Sequence, residues 1–193
     1  MLLKNACIEN DKELKCIKIT DGKIAKIAPD LENEPGEKVI DCDGKLVLPP
    51  FIESHVHLGG RTDTYPKRRS LTRVKELTEA GCNVSFGTDD IFDPWNPMGS
   101  GNMRDPVYMG IYLSHMMGYT EIMNSYKFVT TNAAKTLHLG EGYGIKEGND
   151  ASFVIMDAEN YHDALNYDSA VLASYRKGKL LASTIPAKTE VKF

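Results

Sequence analysis

The sequence predicts an α/β protein whose β-rich ends, residues 1–48 and 149–193, flank a β/α middle, residues 49–148. At both ends, runs rich in β-branched and other apolar residues are separated by turn residues, which indicates short strands. In the middle, apolar residues recur at helical spacing, so the hydrophobic period changes. Each end is small for a core of its own, so we expect the two ends to pair in one β-sandwich.

The N-terminal region contains two predicted turns of the same kind. The runs KCIKIT and KIAKIAP surround Asp21-Gly22, which is a strong signal for a two-residue hairpin. The segment KVIDCDGKLVLPP predicts a second hairpin of this kind around Asp43-Gly44. Pro49-Pro50 ends the series, because proline cannot donate to a strand ladder.

Helical spacing predicts three helices in the middle region, over residues 70–81, 105–117 and 131–139. The first is expected to begin with Ser70 as its N-cap, and Gly81 and Gly140 are expected to end the first and the last. The second is apolar nearly all round, so we expect it to be buried. The run NVSFGT, residues 83–88, predicts a short strand.

The C-terminal region returns to strands. The runs SFVIMDA, AVLASYRKG, KLLAST and KTEVKF are apolar or alternate, and Gly178 and Pro186 separate them. His162 falls between the first two runs and is predicted to lie in a polar loop.

Charge and cysteine content exclude several classes of partner. The net charge is −4 with both signs interspersed, so we expect neither nucleic acid nor a membrane surface as a partner. The first residues are charged by Lys4 and contain no apolar signal region, and no apolar run approaches the roughly 18–20 residues of a membrane span. The four cysteines form no C-x-x-C pair. These features predict a reduced, cytoplasmic protein.

The first chemical motif is His55-Val56-His57, at the end of a predicted strand. Because side chains alternate along a strand, both imidazoles project from one face and could grip one metal ion. The alternative is a pair of polar residues on a solvated face. The apolar lead-in, residues 46–52, favours a buried β/α strand instead, although H-x-H by itself is a weak motif.

The second motif is Asp89-Asp90, at the C-terminal end of the predicted strand 83–88. In β/α architectures that end of a strand carries the chemistry. Asp89 shares its parity with small or polar residues on a narrow inner side, whereas Val84 and Phe86 are predicted to face helices. Taken alone, the motif is explained better by a simple Asx turn.

Three longer segments together resemble the bacterial cytosine deaminases of the amidohydrolase superfamily. They are KLVLPPFIESHVHL, RTDTYPKRRSLTRVKELTEAGCNVSFGTDDIFDPWNPMGSGNM and AAKTLHLGEGYGIKEGNDASFVIMDAEN. DDIFDPW is specific to this branch, and GYGIKEGNDASFVIMDA is similar to the closing pattern of the superfamily. The resemblance covers nearly the whole chain. It implies a (β/α)₈ TIM barrel with a small β-sandwich built from both chain ends.

The resemblance also implies a site. His55 and His57 would be metal ligands from the first barrel strand, and Asp89, from the last strand, would bind the metal and shuttle a proton. Asp90 and Trp95 would line the pocket for a pyrimidine ring. Family members carry one divalent ion, iron or zinc, which activates water for attack on the ring carbon that bears the amino group. The implied activity is the hydrolytic deamination of cytosine or a related small ring.

The barrel is incomplete in this chain. A (β/α)₈ barrel takes at least about 200 residues, whereas residues 49–148 suffice for two or three β/α units. No segment matches the family's histidine ligand from a middle strand, its essential glutamate, or the histidine that holds the water. Across residues 57–66 the first strand is joined directly to the end of the seventh. We therefore expect a partial barrel that is weakly active or inactive alone, or a non-catalytic remnant that binds metal.

The three other histidines receive no catalytic role. His115 lies on the predicted buried helix and is expected to be a core residue, and His162 lies in the predicted loop. His138 forms an H-x-x-E pattern with Glu141, but at a helix end where the family has no chemistry. A partial barrel leaves strand edges and apolar helix faces uncovered, so we expect a homo-oligomer.

Overall fold

The structure is a computed structural model, and it is of mixed α/β class, as predicted. The chain forms two compact units: Met1–Pro50 joins Gly142–Phe193 in the first, and Phe51–Glu141 forms the second. The first unit holds the strands, and the second holds most of the helices. The residues that the structure describes are 1–54, 72–89, 91–92, 94 and 97–187.

The first unit is built on one sheet with strands from both ends of the chain. Its order is β3-β2-β1-β5-β6-β7-β8, with β4 paired to β1. The predicted strand KTEVKF, residues 188–193, lies outside the described residues. The strands are β1 (Leu2–Ile8), β2 (Lys15–Thr20), β3 (Lys23–Ala28), β4 (Val39–Asp41), β5 (Leu46–Leu48), β6 (Phe153–Met156), β7 (Val171–Arg176) and β8 (Lys179–Ser183).

The two chain ends meet where β5 pairs antiparallel with β6, so that Leu46 lies opposite Met156. Both strands are short, continuous apolar runs, and every residue in them is buried. One core includes Leu3 from the N-terminal strands and Phe153 from the C-terminal strands, and the Phe153 ring stacks on Tyr175 at 4.9 Å. The ends thus share a core that neither is large enough to form alone. Their arrangement as a sandwich stays a prediction.

The predicted hairpin at Asp21-Gly22 is confirmed. Asp21 has φ 51° and Gly22 has φ 76°, the left-handed pair that a type I′ turn requires, and β2 pairs antiparallel with β3 across it. Gly22 also lies very close to the turn between β7 and β8. A Cβ atom on Gly22 would stand 2.7 Å from the carbonyl oxygen of Lys177.

The predicted hairpin at Asp43-Gly44 is wrong, although the turn itself forms. Asp43 and Gly44 have φ of 50° and 75°, but β4 and β5 each pair in parallel with β1 and not with each other. The reason is a bulge in β1 at Asn5, which has φ 54° and accepts the Gly44 N–H at 2.9 Å. Residues 2–4 of β1 therefore pair with β4, and residues 7–8 pair with β5.

The helices of the described residues are short. No helix among these described ranges is both long and apolar enough to cross a membrane. A 3₁₀ turn, Ser125–Val129, joins the third and fourth helices, and another, Gly140–Gly142, follows the fourth. The helices are α1 (Val74–Glu79), α2 (Arg104–Leu113), α3 (Tyr119–Asn124), α4 (Thr131–Thr136) and α5 (Tyr161–Asn166).

The first predicted helix ends where expected, at Gly81 with φ 79°. The Gly81 N–H donates to the Thr78 carbonyl and the Cys82 N–H donates to the Leu77 carbonyl, which is the Schellman arrangement that glycine favours. The helix begins at Val74, and the predicted N-cap, Ser70, lies outside the described residues.

The last predicted helix of the middle region, α4, ends earlier than expected, at Thr136. His138, and not Gly140, closes it in a left-handed conformation with φ 54°. The Leu139 N–H then donates to the Ala134 carbonyl at 3.0 Å, which satisfies the helix end one turn before the glycine.

The predicted burial of the second helix, α2, is wrong for one of its faces. Val107 and Ile111 are buried, but Tyr108, Met109 and Tyr112 are 50%, 59% and 56% exposed. One face of α2 packs against the rest of the second unit. The other apolar side chains of the helix remain accessible to solvent. Pro106 lies inside the first turn, where its missing N–H costs no helical hydrogen bond.

Two histidine predictions are also wrong. His115 is not a core residue, because α2 ends at Leu113 and His115 follows it as an exposed residue with φ 56°. His162 lies in α5 and not in a loop. The side chain of Asn160 caps that helix by accepting the Asp163 N–H at 3.0 Å.

Candidate active site

Two segments of the second unit lie side by side, and each leads into a predicted metal ligand. They are residues 51–54, directly before His55, and residues 83–88, directly before Asp89. The Ser54 hydroxyl donates to the Phe86 carbonyl at 3.2 Å, and the Thr88 N–H donates to the Glu53 carboxylate at 2.6 Å. The last described residue before His55 is therefore attached to the segment that ends in Asp89.

The last residues of the 3₁₀ turn Ser125–Val129 form hydrogen bonds with both segments. The Ile52 N–H donates to the Val129 carbonyl at 2.8 Å, and the Phe86 N–H donates to the Phe128 carbonyl at 3.0 Å. The rings of Phe86 and Phe128 stack with their centroids 4.5 Å apart. Val129 is completely buried, so these contacts form the interior of the second unit.

Residues 83–88 form no ladder with another strand among the described residues, in contrast to the predicted strand. Phe86 faces a helix, as predicted. A Cβ atom on Gly110 of α2 would stand 2.5 Å from the Phe86 ring, so this contact requires a glycine in the helix.

We expected the residues that share the parity of Asp89 to lie on a narrow inner side, but two of them contact α4 instead. The Asn83 amide donates to the Thr136 hydroxyl at 2.9 Å, and the Ser85 hydroxyl lies 3.1 Å from the same oxygen. Helix α4 thus covers these polar side chains. Because no strand ladder satisfies this stretch of backbone, side chains do so instead, and the Asn132 amide donates to the Val84 carbonyl at 2.8 Å.

Asp89 stands at the end of this segment as an exposed residue with φ 61°. Aspartate tolerates this left-handed conformation better than most residues. Sparsely populated backbone conformations of this kind are frequent at functional sites. Asp89 is therefore an exposed residue at the end of residues 83–88, where the sequence predicts the site.

The other predicted site residues, His55, His57, Asp90 and Trp95, lie outside the described residues. Among the residues that are described, no group of three or more His, Cys, Asp or Glu side chains could hold a metal ion. The set of His55, His57 and Asp89 therefore stays a prediction. Its donor chemistry suits zinc or iron, which are bound by imidazole nitrogen and carboxylate oxygen.

Glu53 has no role in the sequence interpretation, yet it links the two segments. A signal for it was available, because Glu53 shares strand parity with His55 and His57 and therefore belongs to the same predicted face. Its partner, a backbone N–H 35 residues away, is set by the tertiary fold and has no local signal.

Comparison with known proteins identifies the class. A family model described as "Amidohydrolase family" matches residues 58–182, which is more than half of the chain. The chain therefore belongs to the amidohydrolase family.

Curated relatives include a deaminase. The 5'-deoxyadenosine deaminase of Methanobrevibacter smithii is 42% identical over 129 residues, which are 65% of this chain and 25% of that protein. The Escherichia coli protein named "Uncharacterized protein YahJ" is 29% identical over 112 residues, 58% of this chain and 24% of that protein. The chain thus spans about a quarter of the length of these relatives.

A solved structure supports the fold. The crystal structure of 5-methylcytosine deaminase from Klebsiella pneumoniae liganded with 5-fluorocytosine matches with a TM-score of 0.85 over 99% of both chains. The sequences are 18% identical across this match, so the likeness is one of fold.

Proposed function

We propose that this chain forms part of a metal-dependent amidohydrolase that hydrolytically deaminates cytosine or a related ring in the cytoplasm. One observation carries the proposal: in a member of the amidohydrolase family, the segments that lead into His55 and Asp89 are fastened side by side. A relative that is named as a deaminase supports this choice of reaction. In this proposal residues 49–148 are a partial barrel, and residues 1–48 and 149–193 form the sandwich.

In the proposed site, His55, His57 and Asp89 hold one divalent iron or zinc ion. When bound, the ion supplies a nucleophilic water at neutral pH. Asp89 would carry a proton to the ring, while Asp90 and Trp95 would orient the ring for attack. The substrate is a small nucleobase-like molecule.

The chain by itself lacks a separate general acid. Protonation of the ring and of the leaving ammonia requires a positioned acid, which typically contributes about 10²–10⁴-fold in rate. No segment of the sequence matches the family's glutamate, so Asp89 has to act both as ligand and as proton carrier. We therefore expect activity far below that of a complete barrel.

A second candidate is a non-catalytic remnant that binds metal and forms homo-oligomers. The exposed apolar face of α2 favours it, because Tyr108, Met109 and Tyr112 are each at least half exposed. Apolar patches of several hundred Å² are rare on monomers and mark interaction sites. In this candidate a second copy of the chain covers that face.

Ammonia release from cytosine, with added Fe²⁺ or Zn²⁺, tests the proposed function on a chain whose intact mass is verified as 21.4 kDa. We expect slow, metal-dependent release that Asp89→Ala abolishes and that Asp30→Ala, a change at an exposed carboxylate of the first unit, leaves unchanged. Robust turnover that survives Asp89→Ala contradicts the proposed site. The absence of release with either metal favours the second candidate.

A further inference from the structure

We infer that Glu53 is a positioning residue of the proposed metal site: its carboxylate holds Thr88, and through Thr88 it fixes Asp89 beside the segment that leads to His55. This inference rests on the proposed function, because Asp89 is a ligand only in that proposal. The hydrogen bond itself is a separate property of the fold and can be tested without metal.

The bond has the geometry of a strong interaction. The Thr88 N–H donates to the Glu53 Oε2 atom at 2.6 Å, across 35 positions of sequence. Hydrogen bonds between a backbone N–H and an ionised carboxylate are shorter and about twice as strong as neutral ones. Glu53 is exposed, so its carboxylate retains access to water while it accepts this bond.

The two segments depend on side chains for their mutual register. The Ile52 and Phe86 backbone N–H groups donate to the end of the 3₁₀ turn and not to the neighbouring segment. What links the segments directly is the Ser54 bond to the Phe86 carbonyl and the Glu53 bond to the Thr88 N–H. The second of these acts on the residue directly before Asp89.

Asp89 needs such support because of its backbone conformation. A non-glycine residue at φ 61° is held there by its surroundings, since left-handed conformations are sparsely populated. Fixing the Gly87–Thr88 peptide limits the directions in which the chain can enter Asp89. Glu53 also lies two residues before His55, so one side chain relates both ligand-bearing segments.

Removing groups that orient metal ligands typically weakens metal binding by about 10- to 100-fold. Glu53→Ala removes the acceptor of the Thr88 N–H, whereas Glu53→Gln keeps an oxygen that can accept it without the charge. Glu79→Ala is the matched control, because Glu79 is an exposed glutamate at the end of α1 in the same unit.

The experiment uses the full chain and two measurements: hydrogen exchange of the Thr88 amide by NMR without metal, and the Zn²⁺ Kd by competition with a chromophoric chelator. For Glu53→Ala we expect Thr88 to exchange roughly tenfold faster or more and the Kd to rise about 10- to 100-fold. Glu53→Gln should show smaller changes in both, and Glu79→Ala should match the wild type.

The outcomes separate the inference from the proposed function. Faster Thr88 exchange with an unchanged Kd in Glu53→Ala overturns the positioning role and leaves the site intact. If Glu53→Ala changes neither the exchange of the Thr88 amide nor the Kd, the hydrogen bond between Thr88 and Glu53 is overturned as well. If the wild type does not bind Zn²⁺ while Thr88 is protected, the proposed site is wrong, and the positioning role is wrong with it. If Glu53→Ala does not fold, Glu53→Gln decides, because faster exchange there without a weaker Kd overturns the inference.

Discussion

Two glycines occupy the same kind of turn in different surroundings. Gly22 and Gly44 each follow an aspartate and have φ of 76° and 75°. A Cβ atom at Gly22 would lie 2.7 Å from the Lys177 carbonyl oxygen, whereas nothing lies within 4 Å at Gly44. Gly44→Ala should cost about 1 kcal/mol of stability through backbone strain alone, and Gly22→Ala about 2–4 kcal/mol. Urea unfolding measures both, and equal losses would show that the Lys177 contact has no energetic weight.

Glu37 should make stability depend on pH in the acid range. The hydrogen bond from Lys18, together with one from the Glu34 N–H, lowers the pKa of Glu37 from its ordinary 4.5 to about 2. A carboxyl group whose pKa is lowered by folding stabilises the folded state at pH values above its unfolded pKa. This stabilisation is lost as pH falls from 4.5 toward 2. Glu37→Gln should therefore be less stable than the wild type at pH 7, and the difference should shrink at acid pH.

The matched control for that series is Glu13→Gln, at an exposed glutamate of the same unit. It should follow the wild-type dependence of unfolding on pH. A gap between the wild type and Glu37→Gln that stays constant from pH 7 to pH 2 would contradict the assignment to Glu37.

The four cysteines should differ strongly in how fast they react with a disulfide reagent. Cys82 is exposed, whereas Cys7, Cys16 and Cys42 are buried, and burial raises the pKa of Cys42 to about 12. Because the thiolate is the reactive form, we expect one fast thiol in the native chain at pH 8. A chromogenic disulfide reagent measures this, and Cys82→Ser should remove the fast phase. A second fast thiol would contradict the packing of the first unit.

Among the elements, α2 has an exposed apolar face that could bind a partner. The rings of Tyr108 and Tyr112 stack at 6.1 Å on its exposed face, next to Met109. If a second copy covers this face, Tyr112→Glu should move the chain toward monomer in light scattering, because a charge there would be buried in the interface. Thr78→Glu, on the exposed side of α1, is the control. A monodisperse wild-type monomer would contradict homo-oligomerisation.

Local signals were sufficient where an element is determined by its own residues. Asp21-Gly22 predicted a hairpin, and Gly81 predicted a helix end, because φ/ψ preferences decide both. They failed where a distant neighbour decides. The turn at Asp43-Gly44 forms, but the bulge in β1 at Asn5 determines what its two strands pair with. His138 ended a helix two residues before the available glycine, because histidine is one of the residues that can adopt the left-handed conformation.

At the scale of the whole molecule, long motifs carried more information than short ones. H-x-H and Asp-Asp were ambiguous by themselves, and their spacing within longer segments predicted the family to which the chain belongs. The sequence could not predict that Glu53 joins the two segments, because its partner is a backbone amide brought close by the fold. The sequence did predict that a partial barrel leaves apolar helix faces uncovered, and α2 has such a face.

The central claim is that His55, His57 and Asp89 together bind one divalent ion. The most direct test is elemental analysis of the chain after loading with Zn²⁺ or Fe²⁺ and removal of free metal. We expect about one ion per chain in the wild type and a clear loss in His55→Ala, His57→Ala and Asp89→Ala, as for a site with three protein ligands. His162→Ala, at a histidine on α5, should retain the wild-type content. An unchanged metal content in His55→Ala would contradict the claim.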